Sequence, residues 1–141
     1  MFKIEMKVRD YECDIQGVVN NAVYQNYLEH SRHDFLLAHN VDFVALANAG
    51  IHLMVIRAEL DYKDSLTPGT QFYITVELEK ASRIKYTFVQ NIYRSSDDKL
   101  MLAARTLGVA LNEKGRPTAF EALDVLVLSL IHISEPTRHN S

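Results

Sequence analysis

Four segments between residues 51 and 111 limit the fold most, because each is rich in β-branched and aromatic residues and short turns join them. They are residues 51–62, 71–80, 84–94 and 100–111. The connectors carry turn-forming residues, as in Thr67-Pro68-Gly69 and in Asn112 to Gly115. Connectors this short require neighbouring strands to run antiparallel.

The N-terminal part of the chain predicts one more strand and one long helix. Residues 2–9 alternate apolar and polar, which is typical of a half-buried strand. Asn20 and Asn21 then offer N-cap side chains, and a helix of about 17 residues follows. Its apolar stripe runs from Tyr24 to Ala38 and is unusually broad, so we expect other structure to wrap around it. A short helical turn is predicted at residues 42–48, and the whole is an α+β design with a five-stranded antiparallel sheet.

Length and composition place the chain among ordinary soluble domains. Its 141 residues suffice for one core, and the net charge of −3 is dispersed, which argues against nucleic-acid binding. No run approaches 18 apolar residues and the N-terminus lacks a secretory pattern, so we expect a cytoplasmic protein without membrane association. The single cysteine, Cys13, excludes an intrachain disulfide and fits a reducing compartment.

The C-terminus breaks the pattern. A short amphipathic helix is predicted from Ala119 to about Leu126, and the domain is expected to span residues 1–127. Residues 128–141 turn from strongly apolar to polar and are expected to be a non-native or disordered tail.

The loop before the long helix is where chemistry is expected. It holds Asp14, a turn glycine at Gly17 and the two asparagines. The first turn of a helix has free N–H groups and the positive end of the helix dipole, which suits an anionic oxygen. By its residue type alone, Asp14 fits a solvated loop acid or a helix cap as well as a reactive carboxylate.

The pattern Asp14-x-x-Gly17-Val-Val-Asn20-Asn21-x-x-Tyr24-x-x-Tyr27-Leu-Glu29-x-x-Arg32 resembles hot-dog-fold acyl-CoA thioesterases of the 4-hydroxybenzoyl-CoA thioesterase type. The Asn20-Asn21 pair is more similar to the branch of acyl-acyl-carrier-protein and long-chain acyl-CoA thioesterases. The likeness covers about residues 3–125. It implies a sheet curled around one central helix, and a homodimer or homotetramer with active sites at subunit interfaces. It also implies hydrolysis of acyl-CoA without a cofactor.

Carried over to this chain, the resemblance makes Asp14 the catalytic carboxylate and the Asn21 backbone N–H the group that polarises the thioester carbonyl. Asp14 would act either as a nucleophile or as a general base for water. Many relatives carry histidine at the position of Asn21 or of Val18, and this chain has neither, so a histidine-dependent mechanism is not expected.

Further residues are candidates for substrate binding. Gly17 would allow close backbone approach, Asn20 caps the helix beside the oxyanion site, and Tyr24 either borders the acyl pocket or packs in the core. Arg83 and Lys85 follow a turn and either contact the CoA phosphates or are solvated strand charges.

Other chemistry is less favoured by the sequence. His30 and His33 are at helical spacing, but no acidic or cysteine residues complete a recognisable ligand set, so no metal is expected. Cys13 is interpreted as a spectator. Glu29 and Arg32 are predicted to form a local ion pair. Two alternative functions remain: hydrolysis of acyl groups on an acyl-carrier protein, and non-catalytic binding of acyl-CoA.

Overall fold

The architecture is a curved antiparallel sheet with one long helix on its concave face. A computed structural model describes residues 1–134, with all side chains in that range except those of Phe43 and of residues 132–134. The strands are β1 (Phe2–Lys7), β2 (His52–Tyr62), β3 (Gln71–Lys80), β4 (Lys85–Arg94), β5 (Lys99–Leu111) and β6 (Pro117–Thr118). The helices are α1 (Asn21–Ala38), α2 (Phe43–Asn48) and α3 (Glu121–Ser134), and a single 3₁₀ turn spans Asp10–Glu12.

The sheet has the order β1-β3-β4-β5-β2, and the short β6 pairs with the end of β5. Every pairing is antiparallel, as the short connectors require. The structure adds β6 to the five predicted strands, because a strand of two residues is too short to produce a recognisable periodicity.

Helix α1 forms the centre of the core, which confirms the prediction from its broad apolar stripe. Seven of its side chains are buried, among them Tyr24, Tyr27, Leu28 and Phe35. Leu37 lies within the predicted apolar segment of this helix, but its side chain is 53% exposed. Buried Gln90 of β4 ties the sheet to the helix by donating to the Leu28 carbonyl and to Ser31 Oγ, at 2.8 and 2.7 Å.

Helix α3 packs beside β3 and begins near the predicted position, but it continues to Ser134 instead of ending near Leu126. Leu123, Leu126 and Val127 are buried, and Leu130 also packs partly on the core, so the apolar spacing continues past the predicted end. The predicted domain boundary after Val127 therefore falls within the helix. Residues 135–141 lie outside the described residues, and the non-native origin of residues 128–141 stays a prediction.

Strand β2 lies at one edge of the sheet and is poorly covered. Nine of its eleven residues are exposed, on both faces of the strand, and Met54, Val55 and Ile56 are each about half exposed. A bulge between Val55 and Arg57 interrupts its pairing with β5. An apolar edge strand of this length offers unpaired backbone groups for further pairing.

Candidate active site

A cavity of about 370 Å³ opens where the start of α1 faces the end of β2. It brings together residues that are far apart in the sequence, since the loop before α1 meets the segment after Tyr62. Its walls are formed by Asp14, Gln16, Val18, Val19, Asn20, Asn21, Tyr24, Tyr62, Asp64 and Ser65.

Asp14 lies in a tight loop that fixes its carboxylate. Oδ1 accepts hydrogen bonds from the backbone N–H groups of Gln16, at 2.9 Å, and Val18, at 3.5 Å. The Asp14 N–H donates to the Val18 carbonyl at 2.9 Å, and Gly17 turns the chain with φ of +76°. The space around Gly17 is open and it is not part of the cavity wall, so the glycine serves the turn, whereas the sequence suggested close backbone approach.

The start of α1 presents a free donor to the same cavity. Asn20 is the N-cap, as predicted, and its side-chain oxygen accepts from the Ala22 N–H at 3.0 Å. Within residues 1–134, the Asn21 N–H has no hydrogen-bond acceptor. It is one of the orphan donors that a helix N-terminus leaves available, and the helix dipole favours negative charge there.

A buried carboxylate, which the sequence did not indicate as functional, holds this loop against the helix. Glu12 is 8% exposed, and its Oε1 accepts from the Tyr27 hydroxyl at 2.8 Å and from the Arg9 N–H at 2.7 Å. Its backbone carbonyl also accepts from the Asn20 N–H at 3.0 Å. Glu12 therefore fixes the two ends of the loop that carries Asp14. Burial, followed by the hydrogen bond to Glu12, raises the pKa of Tyr27, so the phenol stays a donor.

Tyr24 takes the core position that was one of its two expected roles. It is buried in the core, yet it lines the cavity, and its hydroxyl accepts from the Leu66 N–H at 3.0 Å. Its ring packs edge-on against Tyr62 at 5.4 Å, which joins α1 to the end of β2. Burial raises the pKa of the Tyr24 hydroxyl, so it remains neutral.

Asp64 is a second carboxylate on the wall, and sequence reasoning missed it. Its Oδ2 is 2.6 Å from Lys99 Nζ, and its Oδ1 accepts from the Ser65 N–H at 2.8 Å. The hydrogen bond from Lys99, then that from the Ser65 amide, lowers the pKa of Asp64. Lys99 follows Asp64 by 35 residues in the sequence, so only the sheet pairing brings the two side chains together.

Arg83 and Lys85 do not join this cavity within one chain. Lys85 pairs with Val109, whereas Tyr62 at the cavity pairs with Leu102. Leu102 and Val109 are seven residues apart along β5. This separation corresponds to about 23 Å at about 3.3 Å per residue. The two cations therefore lie at the opposite end of the sheet from Asp14 of the same chain.

The remaining candidates take ordinary structural positions. Cys13 is half buried and outside the cavity wall, and burial, then the nearby acidic groups led by Asp10, raises the pKa of its thiol. Arg32 donates to Gln90 instead of forming the predicted contact with Glu29, and His30 lies 3.4 Å from Asp34.

Neither a metal centre nor a membrane-spanning helix is found in the described part of the chain. Among residues 1–134, no group of three or more potential ligands of the His, Cys, Asp and Glu types is placed to hold a metal ion. No helix within the same range has the length and apolar character needed to cross a membrane.

Comparisons with known proteins agree with this geometry. The family model of the thioesterase-like superfamily matches residues 8–126. The chain is 34% identical over 116 residues to the chloroplastic acyl-acyl carrier protein thioesterase ATL2 of Arabidopsis thaliana. The aligned residues make up 82% of this chain and 62% of that protein. It thus spans less than two thirds of the length of this relative.

Solved structures share the fold. A 1,4-dihydroxy-2-naphthoyl-CoA thioesterase from Synechocystis, at 16% identity, superposes with a TM-score of 0.87 over 93% of this chain and 98% of its own. A hypothetical protein from Aquifex aeolicus, at 26% identity, superposes with a TM-score of 0.82. The superposition covers 89% of this chain and 99% of that protein. The sheet wrapped around α1 is therefore the predicted hot-dog fold, and the chain belongs to the thioesterase-like superfamily.

Proposed function

We propose that this protein hydrolyses the thioester of acyl-CoA, releasing a carboxylic acid and CoA. The observation that carries the proposal is the pairing, across one cavity, of the Asp14 carboxylate with the free Asn21 N–H at the start of α1. Thioester hydrolysis needs these two groups, one to deliver the attacking oxygen and one to stabilise the charge on the carbonyl oxygen.

In the general-base route, Asp14 takes a proton from water as the water oxygen bonds to the carbonyl carbon. The negative charge moves to the carbonyl oxygen, where the Asn21 N–H donates to it. As the carbon–oxygen double bond re-forms, the carbon–sulfur bond breaks and the CoA thiolate leaves with the electron pair. The thiolate then takes up a proton, and Asp14 returns to its ionised form.

In the nucleophilic route, an Asp14 oxygen attacks the same carbon and expels the thiolate, which gives a mixed anhydride that water hydrolyses. Of the two carboxylate oxygens of Asp14, only Oδ1 accepts hydrogen bonds from the described residues. Oδ2 is therefore available for either route. A single turnover in ¹⁸O-labelled water, followed by mass spectrometry of the Asp14 peptide, tests the nucleophilic route. Label in that peptide supports the nucleophile, because water that opens the anhydride at the Asp14 carbonyl leaves its oxygen on Asp14.

We further propose a homodimer, or a tetramer built from it, in which two β2 strands pair antiparallel. The exposed apolar edge of β2 supports this arrangement. Full overlap of the two strands would centre the two-fold axis near Arg57. Tyr62 of one copy would then lie opposite His52 of the other, and Lys85 and Arg83 of the second copy would approach the first copy's cavity, where CoA phosphates need cations.

The direct test measures CoA release from a panel of acyl-CoA esters with a thiol reagent. Asp14→Asn and Asp14→Ala should lower kcat at least about 100-fold, because both remove the carboxylate. Asp10→Asn is the matched control, since Asp10 is an exposed acid in the same loop region but outside the cavity. No release by the wild type, or equal release by Asp14→Ala, would refute hydrolysis.

An acyl-carrier protein is the second candidate carrier, and the identity to the Arabidopsis relative favours it. Measuring kcat/KM for one acyl group on both carriers separates the two. A higher value for the carrier-protein ester would reverse the proposed substrate. Tight binding of acyl-CoA without turnover would instead support the third function, a non-catalytic acyl-CoA-binding protein.

A further inference from the structure

A second cavity of about 250 Å³ lies further along α1, between that helix, β4 and the first half of β2. Its apolar walls include Leu36, Val55 and Phe88. Its polar residues are Glu29, Arg32 and His33 of α1 and Tyr86 of β4. The proposed hydrolysis at Asp14 uses none of these residues.

Arg32 is the unusual member of this group because its cation is buried and weakly compensated. The residue is 8% exposed, and within residues 1–134 its guanidinium has one hydrogen-bond acceptor, Gln90 Oε1 at 3.1 Å. The Gln90 amide is fixed in this orientation, since its Nε2 donates to the Leu28 carbonyl and to Ser31 Oγ. A neutral amide leaves most of the guanidinium donors unused, and a buried charge without such partners is costly.

Glu29 supplies the complementary group. It is exposed at the same cavity and acts electrostatically on Arg32, yet no hydrogen bond or ion pair joins the two side chains among the described residues. The cavity therefore carries a donor from Arg32 and an acceptor from Glu29. A hydroxyl group can accept from the first and donate to the second, whereas a carboxylate would be repelled by Glu29.

We propose that this cavity binds the acyl chain of the thioester and that Arg32 and Glu29 select chains with a hydroxyl group at the far end. This inference rests on the proposed function and its dimer. In that dimer, Tyr62 at one copy's Asp14 site lies beside the second copy's Leu53, which lines the second copy's cavity. The substrate then runs from Asp14 of one copy to Arg32 of the other.

The volume agrees with an acyl chain as the occupant. A closed apolar cavity of about 150 Å³ holds a benzene ring, whereas pockets for whole drug-sized ligands span about 300–1,000 Å³. About 250 Å³ thus accommodates a short acyl chain but not CoA itself. The CoA part would stay on the open side of the dimer, near the Asp14 cavity.

The test compares kcat/KM for hexanoyl-, octanoyl- and decanoyl-CoA with their ω-hydroxy and ω-carboxy counterparts. At the best-fitting length, the wild type should prefer the hydroxy ester over the plain ester at least tenfold and should disfavour the carboxy ester. Arg32→Met should abolish the hydroxy preference, and Arg32→Lys should restore part of it. Glu29→Gln, at an exposed position, should raise kcat/KM for the carboxy ester about tenfold.

A binding assay tests the selection of the hydroxylated chain without hydrolysis. Calorimetry measures the Kd of the non-hydrolysable S-alkyl and S-(ω-hydroxyalkyl) CoA thioethers. A tenfold tighter Kd for the hydroxy thioether, lost in Arg32→Met, supports the selection even if no variant hydrolyses esters. Equal preference in wild type and Arg32→Met, in both assays, would overturn it while leaving the role of Asp14 intact. Failure of Asp14→Ala to slow release would instead count against the proposed function alone.

Discussion

The Tyr27 hydroxyl donates to Glu12 Oε1 at 2.8 Å, and this buried pair connects the middle of α1 to the loop that carries Asp14. Tyr27→Phe removes the donor and leaves a buried carboxylate with one partner fewer. Hydrogen bonds to charged groups contribute about 1.5–3 kcal/mol, so we expect a loss of that order in the free energy of urea unfolding. Tyr11→Phe is the control, because Tyr11 is 80% exposed and should change stability by less than about 0.5 kcal/mol.

The N-cap of α1 should matter for both stability and catalysis. Asn20→Ala is expected to cost about 1 kcal/mol and to lower kcat, because the first turn of the helix then frays around the Asn21 N–H. Asp42→Ala provides a matched comparison, since Asp42 caps α2 by accepting from the Val44 N–H at 2.9 Å. It should cost similar stability with unchanged kcat. An equal fall of kcat in both variants would argue against a specific role for the α1 terminus.

Tyr86 predicts a loss of stability at alkaline pH. Burial, then the hydrogen bond to Asp124, raises its pKa from 10.0 to about 12. Because the folded value exceeds the unfolded one, this contribution is fully present below about pH 10 and is lost as the pH rises to about 12. It amounts to about 2–3 kcal/mol. The free energy of urea unfolding, measured between about pH 9 and 12, should therefore fall less steeply with pH for Tyr86→Phe than for the wild type. The same fall in both proteins would contradict this assignment.

Glycine at position 108 is predicted to be required for the fit between β5 and β2. A Cβ added there would lie 3.2 Å from the Met54 carbonyl oxygen, which is closer than most Cβ contacts. Because the neighbour is backbone, Gly108→Ala should shift the edge strand and lower the free energy of unfolding by about 1–3 kcal/mol. Gly69→Ala is unsuitable as a control because its φ of +79° adds strain of its own. Ala103→Ser, on the half-buried part of the same strand, is preferable.

Assembly through β2 can be tested with charge. Ile56 is 50% exposed at the edge bulge, and a lysine there should disfavour strand pairing and shift the protein toward monomer in analytical ultracentrifugation. Val125→Lys is the control, because Val125 is similarly exposed, at 57%, but belongs to α3, which packs beside β3. An assembly that survives Ile56→Lys and dissociates with Val125→Lys would place the interface on α3.

The parts of the fold that the sequence predicted well depend on local periodicity. Strand β3 was predicted to the residue, and α1 within about one residue, because alternation and the broad stripe from Tyr24 are strong signals. The end of α3 was missed because residues 128–134 were interpreted by their unusual composition, although Leu130 continues the apolar spacing.

The same distinction applies to the site. Asp14 and Asn21 were predicted together because they belong to one local motif, and the structure places both on the wall of one cavity. Glu12 was overlooked because a charged residue in a loop is normally solvated, and its burial depends on a hydroxyl 15 residues away. Asp64 reaches the cavity only through the pairing of β2 with β5, which no local pattern encodes.

The exposed edge of β2 also affects how a newly synthesised chain behaves before it assembles. In the proposed dimer this edge is paired. Before two copies meet, the eleven-residue strand offers its outward N–H and C=O groups to any extended segment, including an unfolded chain of the same kind. The rate at which two copies meet rises with protein concentration. At low concentration the chain therefore stays longest as a monomer with an unpaired edge strand. Thermal stability should then increase with protein concentration, and dilution alone should make the protein easier to unfold.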